Sequence, residues 1–230
     1  MNNSVKAEYE PIQRKRRRNM TVLNYVLGMY KTNCYLLYTS EGAVIIDPAD
    51  RSPYLISKLE EKSLKLHKIL LTHAHFDHIL AANPLKDETG AEICIGTQDA
   101  EGARDVEKSY LLQLGRTSRG VYADTLLNDG DTFSVCGMDF IVIETPGHTK
   151  GSVCYVCGND IFCGDTVFKD GFGRCDLYGG DEEKMVSSLL TLRKFFEENG
   201  TDYVLHPGHG GKLSAEYFIK QTEFLKRGKI

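Results

Sequence analysis

Short apolar runs separated by turn residues predict a series of strands in the first half of the chain. From residue 20 onward, runs rich in Val, Ile, Leu and Tyr predict strands over residues 21–27, 33–38, 42–47, 68–71 and 93–95. Ser52 and Pro53 supply an N-cap followed by proline at the first helical position, which predicts a helix over residues 52–62. Further helices are predicted over residues 79–88 and around 106–113, the latter within the mixed segment 97–130.

The second half repeats this order. Strands are predicted over residues 132–136, 140–145, 152–156, 160–163 and 203–205. Helices are predicted over residues 181–199, where Met185, Leu189, Leu192 and Phe196 share one face, and over residues 214–226. Strands followed by helices, twice over, indicate an α/β or α+β layered domain with a pseudo-repeat.

Composition is that of an ordinary globular protein, with 41% hydrophobic and 26% charged residues among 230. The sequence has no apolar run long enough for a membrane span, and its first residues lack the apolar core of a secretory signal. Seven cysteines at scattered spacing favour a reducing compartment. We therefore predict a cytoplasmic protein that does not bind membranes.

Charge argues against general binding of nucleic acid, because the net charge is −4. The exception is a basic run at residues 14–18, within an N-terminal extension, residues 1–19, that we expect to be disordered and remote from the chemistry. Residues 20–230 are predicted to form one domain. The sequence does not indicate an oligomeric state.

A histidine-rich loop follows the apolar run at residues 68–71. It contains His73, His75, Asp77 and His78, which supply nitrogen and oxygen donors for zinc-class metals. At this spacing the four side chains cannot share one face of a regular helix, whereas a loop leaving a strand could place them around one metal or two. A merely polar loop is the less favoured alternative.

Three more segments have the same form, each a strand that ends in a glycine-flanked polar loop. They present His148, Asp165 and His209. Glycine beside a donor allows backbone geometries that other residues resist and permits close approach of a metal. Each segment is a weak signal alone, but together they indicate one metal site built at the ends of four strands.

These motifs identify a resemblance. The run Thr72-His73-Ala74-His75-Phe76-Asp77-His78 and the later donors resemble the metallo-β-lactamase-fold hydrolases, and within them the glyoxalase II branch in a short, single-domain form. The resemblance spans about residues 20–212. It implies a four-layer αβ/βα sandwich with the active site at the open edge between its two sheets.

The resemblance also implies a ligand set. His73, His75 and His148 would hold one metal, Asp77, His78 and His209 a second, and Asp165 would bridge them. We therefore expect two divalent ions, zinc in the first place and iron or manganese as alternatives. Two such ions lower the pKa of a shared water from about 15.7 toward about 7, so that a bridging hydroxide could attack a carbonyl. Asp77 is further predicted to handle the proton of the attacking water.

The expected substrate is a small thioester of the acyl-glutathione kind. Arg174 occupies the position of the basic residue that binds glutathione in glyoxalase II, although it could instead pair with Asp176 or Asp181. Lys150, Tyr178 and Tyr110 are further candidates for the pocket rim. Two features depart from glyoxalase II: Gly210-Gly211 replaces the Glu-Tyr after the last histidine, and a single helix replaces the C-terminal helical domain.

Other functions stay open at this point. A persulfide dioxygenase needs one iron held by two histidines and an aspartate, but the complete second donor set favours hydrolysis. A lactonase or β-lactamase needs only a different rim around the same site. A nuclease is suggested by residues 14–18 alone, and a non-catalytic metal module would have a closed shell of Cys and His.

Overall fold

The computed structural model describes residues 20–50, 52–114 and 119–227. The predicted N-terminal extension and its basic run lie outside these residues. No helix in the described part combines the length and the apolarity that crossing a membrane requires.

The first sheet has six strands in sequential order. They are β1 (Thr21–Leu27), β2 (Thr32–Thr39), β3 (Gly42–Ile46), β4 (Leu66–Leu71), β5 (Glu92–Gly96) and β6 (Thr125–Leu127). Pairing is antiparallel from β1 to β3 and parallel from β3 to β6. Its helices are α1 (Ser52–Glu61), α2 (Phe76–Ile79), α3 (Ala82–Thr89) and α4 (Ala100–Arg104).

The second sheet also has six strands, in the order β12-β11-β10-β9-β8-β7. They are β7 (Thr132–Val135), β8 (Met138–Glu144), β9 (Val153–Cys157), β10 (Asp160–Gly164), β11 (Val204–Pro207) and β12 (Leu213–Ser214). Strands β10 and β11 are parallel, and the other neighbours are antiparallel. The helices on this sheet are α5 (Glu182–Asn199) and α6 (Ala215–Gln221).

Three apolar cores separate four layers. One core lies between the first sheet and its helices, one between the second sheet and α5 and α6, and the third between the two sheets. Strand periodicity produces this division, because Leu36 faces the helices while Leu37, the next residue of β2, faces the other sheet. The predicted four-layer αβ/βα sandwich is confirmed.

The helix predicted within the segment 97–130 is wrong. No α-helix forms around residues 106–113; α4 lies earlier, and only a short 3-10 helix, Leu111–Leu114, follows. The Asp105 carboxylate accepts the backbone N–H groups of Glu107 and Lys108, which stabilises a turn instead. Tyr110 then has a left-handed φ of 63°, which no α-helix accommodates.

Two other predicted helices are subdivided. The helix predicted over residues 79–88 is replaced by α2 and α3, and the backbone N–H of Ala81, between them, donates to the carbonyl of Pro48. The last predicted helix ends at Gln221, and a 3-10 turn, Glu223–Arg227, follows.

Two buried tyrosines tie each sheet to a strand end of the other. The Tyr35 hydroxyl in β2 donates to the Pro207 carbonyl at the end of β11 over 2.6 Å. The Tyr155 hydroxyl in β9 donates to the Leu71 carbonyl at the end of β4 over 2.8 Å. Burial raises the pKa of both phenols above the usual value, so both remain proton donors.

Replacing Tyr35 by phenylalanine removes one of these hydrogen bonds and leaves the ring in place. We expect Tyr35→Phe to lower the free energy of unfolding by about 1 kcal/mol, the usual net contribution of such a bond. Urea denaturation measures the change. Tyr217→Phe, on an exposed residue of α6, is the control and should alter stability by less than about 0.5 kcal/mol. Equal stability of the two variants would contradict the role of Tyr35.

Candidate metal centre

Four loops that follow strand ends bring all seven predicted donors into one cluster. The loops come after β4, β8, β10 and β11, and the loop after β4 continues into the short helix α2. In chain order they carry His73, His75, Asp77, His78, His148, Asp165 and His209. These side chains form two groups of three, with Asp165 between the groups.

The first group consists of His73, His75 and His148, all buried. Each offers a ring nitrogen, and these nitrogens lie within 4.8 Å of one another. Nδ1 of His75 is 2.8 Å from Nε2 of His148. Three imidazole nitrogens converging on one point can hold a single divalent ion.

The second group consists of Asp77, His78 and His209, whose donor atoms also lie within 4.8 Å of one another. Oδ2 of Asp77 is 3.3 Å from Nε2 of His209 and 3.6 Å from Nε2 of His78. His78 is fully buried, whereas the side chains of His209 and Asp77 are 27% and 15% exposed. The second group therefore lies at the mouth of the cluster.

Asp165 lies between the groups and contacts both. Its Oδ1 is 3.4 Å from Nε2 of His78, and its Oδ2 is 3.5 Å from Nε2 of both His148 and His209. Because the oxygens of this carboxylate face both groups, Asp165 is suited to bridge two ions.

Hydrogen bonds on the far side of four rings fix their orientation. Nδ1 of His73 lies 3.0 Å from Thr72 Oγ1, and Nδ1 of His78 lies 2.9 Å from Asp47 Oδ2. Nδ1 of His148 lies 2.7 Å from the Arg174 carbonyl oxygen, and Nδ1 of His209 lies 3.1 Å from the Tyr30 carbonyl oxygen. A ring that donates through Nδ1 directs Nε2 into the cluster, and in the neutral form this Nε2 is unprotonated, as a metal requires.

Asp47 orients the cluster and was missed as a site residue. Its Oδ1 accepts the Thr72 backbone N–H over 2.8 Å, and its Oδ2 accepts the Thr72 hydroxyl over 2.7 Å as well as the His78 ring N–H. In the sequence, Asp47 is recognisable only as the last residue of a predicted strand. The available signal was its position, because β3 is the parallel neighbour of β4 and both end at one edge.

Asp99, also missed, joins the histidine loops of the two sheets. Its carboxylate accepts the backbone N–H of Ala74 over 2.8 Å, the Thr149 hydroxyl over 2.7 Å and the backbone N–H of Gly151 over 2.7 Å. Asp99 follows β5, the next parallel strand after β4, so the same strand-end rule would have found it.

Two glycines are required where the loops meet. A Cβ on Gly208 would lie 2.2 Å from Oδ1 of Asp165 and 2.5 Å from Cε1 of His78. Gly164 has a φ of 47°, and a Cβ there would lie 2.3 Å from Oγ1 of Thr72. A larger residue at position 208 would displace two donors, and one at position 164 would displace Thr72, whose hydroxyl supports His73.

The charge environment differs between the two groups of donors. Burial lowers the pKa of His73 well below its usual value and that of His75 to about 3, and neighbouring histidines add to the effect. Neutral imidazoles are therefore favoured at His73 and His75, and neutral imidazole is the form that binds metal.

The second group has carboxylates to compensate positive charge. Burial acts to lower the pKa of His78, but three surrounding carboxylates, with Asp77 foremost, raise it to about 10. Burial acts to raise the pKa of Asp77, but His78 and His209 hold it well below its usual value. The negative potential that retains a proton on His78 is equally available to a divalent cation.

Unsatisfied atoms support a fit to metal. Within the described residues, four buried side-chain nitrogen or oxygen atoms have no hydrogen-bond partner, and two of them, His73 Nε2 and Asp165 Oδ1, are proposed metal ligands. Buried polar atoms are rarely left without a partner. Imidazole and carboxylate donors of this kind suit divalent zinc, iron or manganese.

The predicted substrate residues lie beside the first group. Lys150 and Tyr178 line a cleft that also contains His75, Gln98 and Lys108. We call this the polar cleft. The backbone N–H of Tyr178 donates to the Tyr110 hydroxyl over 2.9 Å, and the Tyr110 ring lies 5.7 Å from the His75 ring.

Arg174 has a different arrangement from the one its predicted role requires. Its guanidinium makes a two-point contact with the Asp176 carboxylate, both bonds measuring 2.6 Å, and both side chains are more than 60% exposed. This contact is the ion pair with Asp176 that the sequence offered as the alternative to substrate binding. An exposed pair is held weakly, so binding of a substrate carboxylate by Arg174 stays a prediction.

Comparison with known proteins gives one family. A family model described as the metallo-beta-lactamase superfamily matches residues 27–199. Hydroxyacylglutathione hydrolase GloC of Haemophilus influenzae is 32% identical over 201 residues, covering 85% of this chain and 93% of that protein. A probable polyketide biosynthesis zinc-dependent hydrolase, BaeB of Bacillus velezensis, is 31% identical over 183 residues, covering 79% and 74%.

Solved structures agree. The crystal structure of the BLEG-1 B3 metallo-beta-lactamase matches with a TM-score of 0.81 and 31% identity, covering 89% of this chain and 99% of that one. A protein crystallised in a di-iron-bound form matches with a TM-score of 0.74 and 30% identity, covering 85% and 96%.

Asp47→Asn tests the orienting network, because the amide cannot reproduce both acceptors. We expect the affinity for the more weakly held metal ion to fall by about 10- to 100-fold, the usual effect of losing such support. Competition with a chromogenic chelator measures this affinity. The control, Asp87→Asn, alters an exposed carboxylate on α3 and should bind metal as the unmodified protein does. Unchanged affinity in Asp47→Asn would show that the network is dispensable.

Proposed function

We propose that this chain, which belongs to the metallo-beta-lactamase superfamily and is a metal-dependent hydrolase, cleaves a small thioester of the acyl-glutathione kind. The observation that carries the proposal is the convergence of all seven donors, with Asp165 within 3.5 Å of both histidine groups. A relative named as a hydroxyacylglutathione hydrolase, aligned over 85% of this chain, supports the substrate class.

Two divalent ions fit the donor set. His73, His75 and His148 would hold one, and Asp77, His78 and His209 the other, with Asp165 shared between them. When bound, the ions would lower the pKa of a shared water from about 15.7 toward about 7 and polarise the scissile carbonyl. Zinc is the proposed metal, in line with the zinc-dependent relative, and iron is the alternative that the di-iron structure raises.

Asp77 is placed to handle a proton. Its Oδ2 accepts the Thr32 hydroxyl over 2.9 Å, which fixes the carboxylate at the mouth of the cluster. Because the neighbouring histidines keep the pKa of Asp77 low, this carboxylate is ionised near neutral pH and can accept a hydrogen bond from the attacking water.

The polar cleft suits the thiol half of the substrate. The Lys150 side chain is exposed there, and Lys108 lies 5.0 Å above the Tyr178 ring. Lys108 already pairs with Glu101. The Lys150 ammonium is therefore the group at this surface that could bind a carboxylate of the thiol carrier, and Arg174 could exchange Asp176 for a second one. The cleft also adjoins His75, so a carrier bound there would lie next to the first metal position.

Location and partners complete the proposal. The seven cysteines, all within the described residues, are free thiols, which supports a reducing, cytoplasmic setting. The proposed partner is a small molecule, and nucleic acid is not expected to bind.

A β-lactam is the second candidate substrate. The 31% identity to a protein named as a B3 metallo-beta-lactamase favours it, since the same activated water could open a strained amide. The polar cleft favours the thioester over the β-lactam as the substrate.

A substrate panel decides between these functions. The purified protein, loaded with zinc in one preparation and with iron in a second, is assayed against acyl-glutathiones, lactones, β-lactams and, with oxygen uptake recorded, glutathione persulfide. We expect thioesters to give the highest kcat/KM and a chelator to abolish turnover. Higher turnover of β-lactams or lactones would show that the proposed substrate class is wrong. Oxygen uptake with one iron per chain would show that the reaction is an oxidation and not a hydrolysis.

Asp77→Asn separates catalysis from metal binding. We expect kcat to fall by about 10²- to 10⁴-fold, as for loss of a general acid–base group, while metal content falls far less. Elemental analysis and steady-state kinetics on the same preparation provide the two values. Proportional losses of metal and rate would assign Asp77 to metal binding alone.

A further inference from the structure

Aromatic side chains surround the exposed end of the cluster. Tyr30 and Phe76 pack edge to face with ring centroids 5.1 Å apart, and Phe76 immediately precedes Asp77. The Phe168 ring lies 6.0 Å from the His209 ring. With Met29, next to Tyr30 in the chain, these residues form what we call the aromatic rim.

The hairpin part of the rim is exposed and its backbone is hydrogen-bonded to a proposed ligand, whereas Phe76 and Phe168 are partly buried. Met29 is 79% and Tyr30 54% exposed at the tip of the β1–β2 hairpin. The Tyr30 carbonyl accepts the Nδ1 proton of His209 over 3.1 Å. Exposed apolar side chains grouped beside polar donors commonly mark a binding site, and Tyr30 and Phe168 both contact His209, the most exposed donor.

The two ends of the cluster therefore differ in polarity. Lys108, Lys150 and Tyr178 line the polar cleft beside His75, in the first group. The aromatic rim adjoins Asp77 and His209, in the second group. A substrate spanning both ends would place an apolar portion and a polar portion on opposite sides of the scissile carbonyl.

We propose that the aromatic rim is the subsite for the acyl chain, and that the preferred thioesters carry an apolar acyl group of several carbons. This inference rests on the proposed thioesterase function and specifies the acyl half of its substrate. A hydroxylated two- or three-carbon acyl group would leave the rim uncovered. Burial of one methylene contributes about 0.8 kcal/mol, so each added carbon should improve kcat/KM about two- to fourfold until the rim is covered.

The activity test uses straight-chain acyl-glutathiones from acetyl to octanoyl. For the unmodified protein we expect kcat/KM to rise along the series. In Tyr30→Ser and Met29→Ser the ratio of octanoyl to acetyl kcat/KM should shrink by about tenfold. Because the ratio is taken within each variant, a general change in activity or metal content cancels. Neither substitution removes the backbone carbonyl that accepts from His209. Tyr217→Ser, on an exposed tyrosine of α6, is the matched control and should keep the full gain.

A binding measurement gives a second readout that does not depend on turnover. Acetate, butyrate, hexanoate and octanoate are titrated into the zinc-loaded protein by calorimetry. Affinity should rise with chain length in the unmodified protein and in Tyr217→Ser, and should rise much less in Tyr30→Ser.

The outcomes separate the two proposals. Thioester hydrolysis without chain-length dependence, together with flat carboxylate affinities, would overturn the acyl subsite and leave the proposed function standing. Rising carboxylate affinities that depend on Tyr30, without thioester hydrolysis, would support the apolar subsite and overturn the thioester assignment. A chain-length gain that Tyr30→Ser and Met29→Ser both retain would also overturn the subsite.

Discussion

The constraint on which the site depends is the meeting of strand ends from two sheets at one edge. The first sheet supplies the loop with His73 and His75, and the second supplies His148, Asp165 and His209. Neither sheet has enough donors to hold two ions. The cross-sheet hydrogen bonds of Tyr35 and Tyr155 end on Pro207 and Leu71, the residues from which two of the donor loops begin. The apolar core between the sheets thus sets the positions of the donors.

Buried charge is the second constraint. Bringing several carboxylates and imidazoles out of water is costly unless they are paired or hold a metal. Here Asp47 and Asp99 are satisfied by several hydrogen bonds each, whereas Asp165 keeps an oxygen with no hydrogen-bond partner among the described residues. The first kind of carboxylate holds loops in place. A carboxylate such as Asp165, with an oxygen that has no hydrogen-bond partner, remains available to a cation.

The seven proposed donors could be located in the sequence because their signal is local. Four of the seven lie within six residues, and the others stand beside glycines at strand ends. Asp47 and Asp99 carry no such signal, and their roles emerge only from the parallel order of β3, β4 and β5. Strand and helix order predicted a layered α/β or α+β domain, and the family resemblance implied the four-layer sandwich. The helix expected around residues 106–113 failed because Asp105 and Tyr110 stabilise turns that apolar periodicity does not reveal.

The central claim is that this edge holds two divalent ions bridged by Asp165, and anomalous scattering from a crystal of the metal-loaded protein tests it most directly. The account predicts two peaks about 3.5–4 Å apart, one among His73, His75 and His148 and the other among Asp77, His78 and His209. A single peak in one group, or peaks away from Asp165, would contradict it.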